Sequence, residues 1–509
     1  MKATLTTISI FIAQFLFAQY VGLDDSYAGG DGISSPAFAG ASNNSQSHHM
    51  IVDDSDNSFH FGYTELDGNL AFSCAKLNSS GNYASGFGQS GQTVIGTEYA
   101  ITSLEGADFY PTGKILICGT FYDDNYPNYG GVVFRMNTNG TLDPTFSNDL
   151  TGSFLQTEDA DYNITAIGCS VFDNLKSIAA FTYEDPNVVS LMLVRFTVAG
   201  DEDQTFDDDG ILFVTLSDAL RVTDIKDDGT NMFFCGTYED FDSNIGVVLK
   251  IDQNGNFVSG FGNGADAQIG NTSDVYDPQA IHVTDEGDIF VTGSTGSGAA
   301  FVAKMNFTGG MDNTFGDNGI AYYNNTTQPV GLSLSVTPEG QVMIAGKETD
   351  SNGHDLSFIA RFNTDGTPDE TFGTSGIYYP EFEFEEDIIL GLHVLNDGDF
   401  LTTGYGHMSG DPDQYICAKF HTSGAGVEQY NQSWPTIYPN PVTDELFIRT
   451  NDLRITTIHL TDVMGNTILT SKINSPQSRI DLSTLPSGIY HVTAMDDQGR
   501  TWTKSVVKG

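Results

Sequence analysis

The sequence predicts an all-β protein: a seven-bladed β-propeller of about 57-residue repeats, followed by a small C-terminal immunoglobulin-like β-sandwich. Three observations lead to this prediction. An aromatic anchor recurs at nearly constant spacing, each interval holds four short β-rich runs, and the charge changes abruptly near residue 436. Residues 20–435 hold twelve basic and sixty acidic residues, a net charge of −48, whereas residues 436–509 hold seven of each.

The chain of 509 residues begins with the pattern of a secretory signal peptide, which we assign to residues 1–18. Lys2 precedes an apolar run from Ile8 to Phe17, and a small residue, Ala18, stands at the expected cleavage point. A buried N-terminal strand is the alternative. This run is too short to span a membrane, and no later run is long enough, so we expect export without a transmembrane segment.

The repeat is marked by an Asp followed by Thr-Phe-Gly or a variant, and often by a second Gly. Its aromatic anchors, 54 to 60 residues apart, are Tyr27, Phe87, Phe146, Phe206, Phe261, Phe315 and Phe372. A seventh unit, from Ile377 to about His421, lacks the motif at its end. This offset predicts a last blade built by strands from both ends of the propeller, which closes the ring.

Every unit has the same internal order, which residues 211–262 illustrate. The β-rich runs are ILFVTL, ALRVTDI, NMFFCGT and IGVVLKID, with turns such as Asp228-Gly229 and Asn254-Gly255 between them. Short strands joined by Asp-Gly or Asn-Gly predict antiparallel hairpins, and four such strands form one blade. An open β-solenoid is the alternative, but it requires capping units at its two ends.

The segment FIARFNTDGTPDETFGTSGI, residues 358–377, resembles the delta-60 repeat of bacterial surface and secreted proteins. The resemblance extends over roughly 390 residues and is strongest in the units that end at Phe315 and Phe372. The family carries no assigned chemistry, so it implies the repeat without an activity. We assign residues 19–430 to the propeller and residues 431–435 to a linker.

The fourth run of each unit carries one cation at the same position. These repeat cations are Lys76, Arg135, Arg195, Lys250, Lys304, Arg361 and Lys419. Seven of the twelve basic residues in 20–435 thus share one structural position. We expect each to form a structural ion pair with a carboxylate of the motif. The motif carboxylates are Asp143, Asp203, Asp312 and Asp369. A ring of cations that lines the central channel and holds an anion is the alternative.

The loop after the third run is acidic in most units, and equivalent loops of a propeller share one face. Clustered oxygen ligands suit Ca²⁺ outside the cell, and Ca²⁺ is the only cofactor that the sequence suggests. The candidate ligands are Asp123, Asp124, Glu239, Asp240 and Asp242. No EF-hand loop is complete, and solvated hairpin tips are the alternative. The loop 122–129 adds three tyrosines, a surface for a sugar or a peptide.

No catalytic motif stands out. Nucleophile elbows, phosphate-binding loops and zinc-protease helices are absent from the sequence, and the five cysteines fit small buried positions on strands. A pair of carboxylates for glycoside hydrolysis can still be hidden among 67 acidic residues, so a hydrolase built on the propeller remains an alternative. The negative charge argues against a nucleic-acid partner and against docking on an anionic membrane.

Residues 436–509 resemble the type A sorting domain of the type IX secretion system. The matching residues are Pro439, Asn440, Pro441, Gly465, Gly488, Tyr490 and Lys504. This resemblance implies recognition by an outer-membrane export machine, followed by cleavage and either release or attachment to surface lipopolysaccharide. An adhesive β-sandwich is the alternative, because six short β-rich runs also predict a sandwich without it.

These observations together predict an exported protein located at the outer cell surface or outside the cell. Its propeller is expected to bind or adhere to a carbohydrate or a protein. A secreted hydrolase that degrades polysaccharide or peptide, and a structural surface protein, are the two alternatives.

Overall fold

The computed structural model describes most of the propeller and the strands of the C-terminal unit. The described residues are 20–38, 41–96, 100–123, 128–146, 153–154, 162–172, 174–215, 219–239, 244–264, 266–270, 275–325, 327–423, 436–438, 442, 445–449, 455–462, 467–472, 477–496 and 501–508. Among these residues there is no helix of the length and apolarity that crossing a membrane requires. The chain divides into two compact units, residues 1–425 and 426–509.

The first unit begins with two short strands and continues with four-stranded sheets, here called blades 1 to 7. The short strands are β1 (Tyr20–Leu23) and β2 (Ile33–Ser34). Blade 1 consists of β3 (Ala41–Val52), β4 (Ser58–Leu66), β5 (Asn69–Leu77) and β6 (Gln92–Ile95). Blade 2 consists of β7 (Ala100–Phe109), β8 (Ile115–Asp123), β9 (Asn128–Met136) and β10 (Ser153–Phe154). Blade 3 consists of β11 (Asn163–Val171), β12 (Ser177–Glu184), β13 (Val189–Phe196) and β14 (Ile211–Val214).

The remaining blades follow the same plan. Blade 4 consists of β15 (Ala219–Asp227), β16 (Asn231–Glu239), β17 (Asn244–Asp252) and β18 (Asp266–Gln268). Blade 5 consists of β19 (Tyr276–Val283), β20 (Ile289–Thr295), β21 (Ala299–Met305) and β22 (Ile320–Asn324). Blade 6 consists of β23 (Val330–Val336), β24 (Val342–Thr349), β25 (Asp355–Phe362) and β26 (Ile377–Tyr378). Blade 7 contains β27 (Glu386–Val394), β28 (Phe400–His407) and β29 (Gln414–Ser423).

The blades form a closed ring around an axis. The first strand of each blade contacts the first strand of the next, in the order β3, β7, β11, β15, β19, β23, β27 and again β3. Antiparallel pairing within each sheet follows the chain order outward from that strand. The predicted seven-bladed propeller is confirmed, and a ring leaves no exposed end of the kind that a solenoid must cap.

Blade boundaries differ from the sequence units by one strand. The run ILFVTL is β14, the outer strand of blade 3, although the motif before it ends a sequence unit. Blade 7 therefore lacks an outer strand of its own, and β1 and β2 supply it by pairing with β29. The pairing joins Leu23 to Phe420 and Ile33 to Ala418, so both ends of the propeller meet in one sheet.

Each of the seven first strands is interrupted by a β-bulge at the same place. In each first strand, one residue at the bulge has no partner in the register with the second strand. These bulge residues are His48, Glu105, Ile167, Thr223, Gln279, Leu332 and Leu390. A bulge adds local twist and redirects the side chains around it. The hydrophobic pattern of the sequence does not predict these bulges, because both faces of every blade are largely buried.

The core lies between neighbouring blades. All seven aromatic anchors of the repeat motif are at most 2% exposed, and the five cysteines are buried and unpaired. Large apolar side chains such as Phe59, Phe121 and Phe134 fill the space between blades 1 and 2. Packing of this kind, repeated around the ring, makes each blade depend on both of its neighbours.

The second unit contains two antiparallel sheets. One sheet consists of β30 (Thr436–Tyr438), β31 (Glu445–Arg449) and β34 (Gln477–Asp481). The other consists of β32 (Ile455–Asp462), β33 (Thr467–Lys472), β35 (Gly488–Asp496) and β36 (Thr501–Lys508). Leu446 and Ile448 of the first sheet share one buried core with Ile458 and Val492 of the second, which makes the unit a small β-sandwich.

Candidate functional site

The propeller has two faces that carry different connections. The motif face holds the turns between first and second strands together with the turns of the repeat motif. The hairpin face holds the turns between second and third strands. In blade 1, Ser58 pairs with Leu77 at the motif face, and Leu66 pairs with Asn69 at the hairpin face.

The motif face carries one ion-pair site per blade, and blade 3 shows its construction. Arg195 Nε donates to Asp203 Oδ2 at 2.8 Å, and the guanidinium lies 4.5 Å from the ring centroid of Phe206. The other carboxylate oxygen, Asp203 Oδ1, accepts from the backbone N and the hydroxyl of Thr205. One Asp therefore closes the motif turn and neutralises the cation, while the aromatic anchor covers the cation.

All seven repeat cations lie near a carboxylate. The nearest Nζ–O or Nε–O partners in the three Arg blades are Asp143 for Arg135 (2.7 Å), Asp203 for Arg195 (2.8 Å) and Asp369 for Arg361 (2.8 Å). In the Lys blades, pairs form between Lys76 and Asp53 (4.0 Å), Lys250 and Asp228 (3.7 Å), Lys304 and both Asp288 (2.9 Å) and Asp312 (3.1 Å), and Lys419 and both Asp24 and Asp399 (3.2 Å each). These cations lie on third strands, whereas the first strands form the inner ring.

Blades 1 and 4 show a substitution within the repeat. Their motifs begin with Ala84 and Val258 instead of Asp, and the carboxylate comes instead from the turn after the first strand, as Asp53 and Asp228. In blade 7 the motif Asp comes from the other end of the propeller, because Asp24 pairs with Lys419. Every blade thus keeps at least one carboxylate beside its repeat cation, although the source of that carboxylate changes from blade to blade.

The motif carboxylates are strongly stabilised as anions. Burial raises the pKa of Asp203, but hydrogen bonds from Lys176 and Thr205 outweigh burial and hold this pKa well below its usual range. Asp143 is held below its usual pKa in the same way by Lys114 and Thr145. Buried pairs of this kind mainly fix register, since their desolvation offsets most of the attraction.

Side chains on the inner strands connect some neighbouring blades. Asp108 Oδ2 accepts from Val171 N at 2.6 Å, and Asp224 Oδ2 accepts from Ile281 N at 3.0 Å. The first strand of a blade has one edge without a strand partner, and its N–H groups need acceptors. The preceding blade supplies these acceptors, so polar residues near the axis also have a structural task.

The inner strands also carry charged residues that do not repeat. Lys226 Nζ lies 3.8 Å from Asp224 Oδ1, and this neighbour raises the pKa of Lys226. Burial and the charge of Lys226 lower the pKa of His282 to about 4, which keeps that imidazole neutral. Acidic, basic and neutral polar groups therefore share the axis of the ring.

The hairpin face carries a hydrogen-bonded cluster between blades 1 and 7, formed by Gln46, His48, Tyr63, His407 and Asp413. His48 Nε2 and Gln46 Oε1 are 3.3 Å apart, and Gln46 Nε2 donates to Asp413 Oδ2. Asp413 Oδ1 lies 2.7 Å from His407 Nδ1, and the rings of His48 and Tyr63 meet edge to face at 5.3 Å. We call these five residues the blade 1–7 cluster.

The pKa values of the two histidines of this cluster are shifted in opposite directions. The hydrogen bond with Asp413 raises the pKa of His407, whereas burial lowers the pKa of His48 to about 4. A neutral imidazole and a readily protonated one therefore lie at opposite ends of one hydrogen-bonded chain. Such a cluster can both donate to and accept from a polar ligand, which suits recognition of hydroxyl and amide groups.

This cluster could not be predicted from sequence patterns. In the sequence, Asp413 is one of several acids in its loop and His48 is one of two adjacent histidines. The contact between Gln46 and Asp413 joins residues more than 350 positions apart. The bulge at His48 places its side chain, and no local signal marks that bulge.

The predicted Ca²⁺ ligands fall mostly outside the described residues. Asp124, Asp240 and Asp242 are not described, and Asp123 and Glu239 are described only as the last residues of β8 and β16. Within the described parts of the chain, no three His, Cys, Asp or Glu side chains are grouped so that they could hold a metal ion. The Ca²⁺ site at these loops stays a prediction.

The predicted processing and sorting residues are described only in part. Ala18, Pro439, Asn440, Pro441 and Gly465 lie outside the described residues. Of the remaining sorting residues, Gly488 begins β35, and Lys504 is exposed on β36. Tyr490 is buried, and its hydroxyl donates to Pro486 O at 2.9 Å, which anchors the turn before β35.

Two family models match the sequence. Residues 436–508 match a secretion system C-terminal sorting domain. Residues 111–146 and 337–372 match a β-propeller domain of unknown function, and both segments end at an aromatic anchor. The chain is a propeller repeat protein with a type IX sorting tail. This propeller repeat protein is therefore a cargo of the type IX secretion machinery, exported to the cell surface or the extracellular space.

Solved structures similar to this propeller repeat protein include three of different kinds. The Drosophila protein Semaphorin 2a is 7% identical over 94% of this chain and 97% of its own, with a TM-score of 0.44. The polysaccharide lyase Uly1 is 10% identical over 80% and 97%, with a TM-score of 0.43. A Dyadobacter fermentans protein of unknown function is 12% identical over 76% and 100%, with a TM-score of 0.39. Such low scores carry no argument about function, and no curated protein matches the sequence.

Proposed function

We propose that this exported propeller is a binding module whose hairpin face holds a carbohydrate or a protein. The blade 1–7 cluster is the observation that carries the proposal. It joins two histidines whose pKa values are shifted in opposite directions, an amide, a carboxylate and a tyrosine in one partly exposed cluster. Polar groups of this variety with an aromatic neighbour are typical of ligand sites.

The repeat does not require a tyrosine at the position of Tyr63, which supports a role of Tyr63 in binding. Tyr63 and its blade 7 counterpart Tyr405 lie on second strands. Each follows a glycine, Gly62 or Gly404, that pairs with the first-strand residue just before the bulge. Small residues occupy that position in the next four blades, namely Thr120, Thr182, Thr237 and Ser294. A side chain that departs from a repeat without improving the core is a candidate for recognition.

Charge narrows the class of ligand. A body with a net charge of −48 over residues 20–435 repels polyanions at long range and so disfavours nucleic acid and highly sulfated glycans. Neutral or cationic ligands meet no such repulsion. We therefore place neutral carbohydrates and basic or neutral protein surfaces first among the ligands.

We also propose the processing boundaries that the sequence predicts: a signal peptide at 1–18, a propeller at 19–430, a linker at 431–435 and a sorting domain at 436–509. Deleting residues 436–509 should leave the propeller in the periplasm, because the address read by the export machine is then missing. Cell fractionation measures this directly. Normal secretion of the truncated protein would contradict the assignment.

The binding proposal is tested with the full-length protein on a glycan array and by capture of surface proteins. The double variant Tyr63→Ala with Asp413→Ala should lose binding while it keeps its melting temperature within a few degrees. Phe307→Ala, at an exposed residue of the motif face, is the matched control and should bind normally. Breakdown of a polysaccharide would favour the hydrolase instead, and abundant surface protein without any ligand would favour a structural role.

A further inference from the structure

A second feature of the hairpin face is a row of five aromatic side chains on blades 2 and 3, which we call the aromatic platform. Tyr122 and Tyr129 form a cross-strand pair with ring centroids 5.3 Å apart. Tyr183 lies 5.2 Å from Tyr162 on one side and 5.2 Å from Phe213 on the other. The blade 2 pair and the blade 3 trio together extend across the boundary between the two blades.

Hydrogen bonds between the blades fix the two halves of the platform. Asn128, which is 3% exposed, donates through Nδ2 to Tyr162 O at 3.2 Å. Tyr129 N donates to Asn163 Oδ1 at 3.1 Å. The backbone that carries the rings is therefore held in place before a ligand arrives, which reduces the entropy lost on binding.

The platform is exposed where a ligand could reach it. Phe213 is 48% exposed and Tyr129 is 42% exposed, although both are large apolar side chains. The repeat does not fix an aromatic residue here: the position of Tyr183 holds Phe121 and Tyr238 in blades 2 and 4, but Thr64, Thr295, Glu348 and Gly406 in blades 1, 5, 6 and 7. Tyr129 and Phe213 are thus exposed aromatic side chains on neighbouring blades, beside Tyr162 and Tyr183, which pack against the core. Exposed aromatic surface of this kind indicates a binding site.

We propose that the aromatic platform binds a neutral glycan chain, and this inference rests on the proposed binding function. Aromatic faces stack against the C–H face of pyranose rings, and successive rings suit successive sugars of a chain. Glu184, exposed directly after Tyr183, is an acceptor for sugar hydroxyls. The same carboxylate and the −48 charge of the surrounding body repel uronic acid and sulfated chains, so charge selects the neutral class.

The test uses the full-length protein and soluble hexaoses of glucose, xylose, mannose and N-acetylglucosamine in β-1,4 linkage, with polygalacturonate as the anionic probe. Isothermal titration should show binding of at least one neutral hexaose and none of polygalacturonate. Tyr129→Ala and Phe213→Ala should each weaken that binding about tenfold or more, because each removes one stacking surface. The control Phe307→Ala removes an aromatic ring that is 64% exposed on the motif face and should leave the affinity unchanged.

Three results would overturn the platform. The first is neutral hexaose binding that neither platform variant weakens, and the second is binding of polygalacturonate alone. The third is capture of a protein partner without binding of any neutral hexaose, which would leave the binding-module function standing while the glycan inference fails. Failure of the whole proposed function has a different signature, since neither a glycan nor a protein would then bind.

Discussion

The two faces of the propeller differ in how far their side chains follow the repeat. The motif face repeats one arrangement in seven blades, and it does so even where the motif is damaged, since Asp53 and Asp228 replace the missing motif Asp. On the hairpin face the described side chains change from blade to blade and show no shared arrangement. Repetition therefore identifies residues that hold the ring, and departure from repetition identifies residues that are free to recognise a ligand.

The sharpest way to break the motif face is at the point of ring closure. Tyr27 is 1% exposed and fills the anchor position of blade 7, next to the pair between Asp24 and Lys419. Tyr27→Ala should lower the free energy of unfolding by about 3–5 kcal/mol, as large buried aromatics do. Urea denaturation measures this, with Tyr83→Ala, at an exposed tyrosine, as the control. Equal loss in both variants would contradict the difference in packing.

The next largest effect concerns the ion pairs. Arg361→Met leaves Asp369 buried without its cation, which should lower the free energy of unfolding by about 3–5 kcal/mol. Arg221→Met breaks an exposed pair with Asp277 and should lower it by about 1 kcal/mol or less. Thermal melts of both variants decide the matter. Full stability of Arg361→Met would mean that the motif face does not depend on its cations.

A third prediction concerns the dependence of stability on pH. Burial lowers the pKa of His60 to about 3, below the value of about 6.5 in an unfolded chain. The unfolded chain therefore binds the extra proton, and stability falls as the pH drops from about 6.5 toward 3, by at most roughly 1.4 kcal/mol per pH unit for this residue. The motif carboxylates, whose pKa values are lowered, lose their contribution only below about 4.

Urea midpoints at pH 6.5, 5.5 and 4.5 measure this slope. His60→Gln should make the free energy of unfolding less dependent on pH, even if the variant is less stable at every pH. The slope depends on the difference in bound protons between the unfolded and folded states, and not on the contacts that the variant loses. His407→Gln is the comparison, because the pKa of His407 is raised and its loss should not flatten the acid limb. An unchanged slope in His60→Gln would rule out this buried histidine as a cause of acid sensitivity.

The smallest predicted effect is that of Ca²⁺ on the acidic loops, which include Asp123, Asp124, Glu239, Asp240 and Asp242. Extracellular sites with dissociation constants near 10⁻³ M add only about 1 kcal/mol at a few millimolar Ca²⁺. The melting temperature should therefore rise by roughly 1 °C with Ca²⁺ and fall back with chelator. A melting temperature that changes neither with Ca²⁺ nor with chelator would contradict Ca²⁺ binding by these loops.

The features that could be predicted from the sequence are those that recur in every repeat. Anchor spacing predicted the blades, the cation position predicted a shared structural place, and the offset motif at Tyr27 predicted closure by both chain ends. Features that depend on three-dimensional register could not be predicted in this way. The bulge that positions His48 leaves no mark in the sequence of its strand, and the contact between Gln46 and Asp413 joins residues from the two ends of the propeller sequence.

Closure by both ends also sets the order in which the molecule can fold. Strand β1 (Tyr20–Leu23) is among the first parts of the propeller to be synthesised, and its partner β29 (Gln414–Ser423) is the last. Such long-range pairing slows folding, and a chain that lacks its final strand leaves the edge of β28 open to other molecules. Strand β1 can therefore pair only after β29 has been synthesised, and we expect a chain truncated before β29 to leave the ring open.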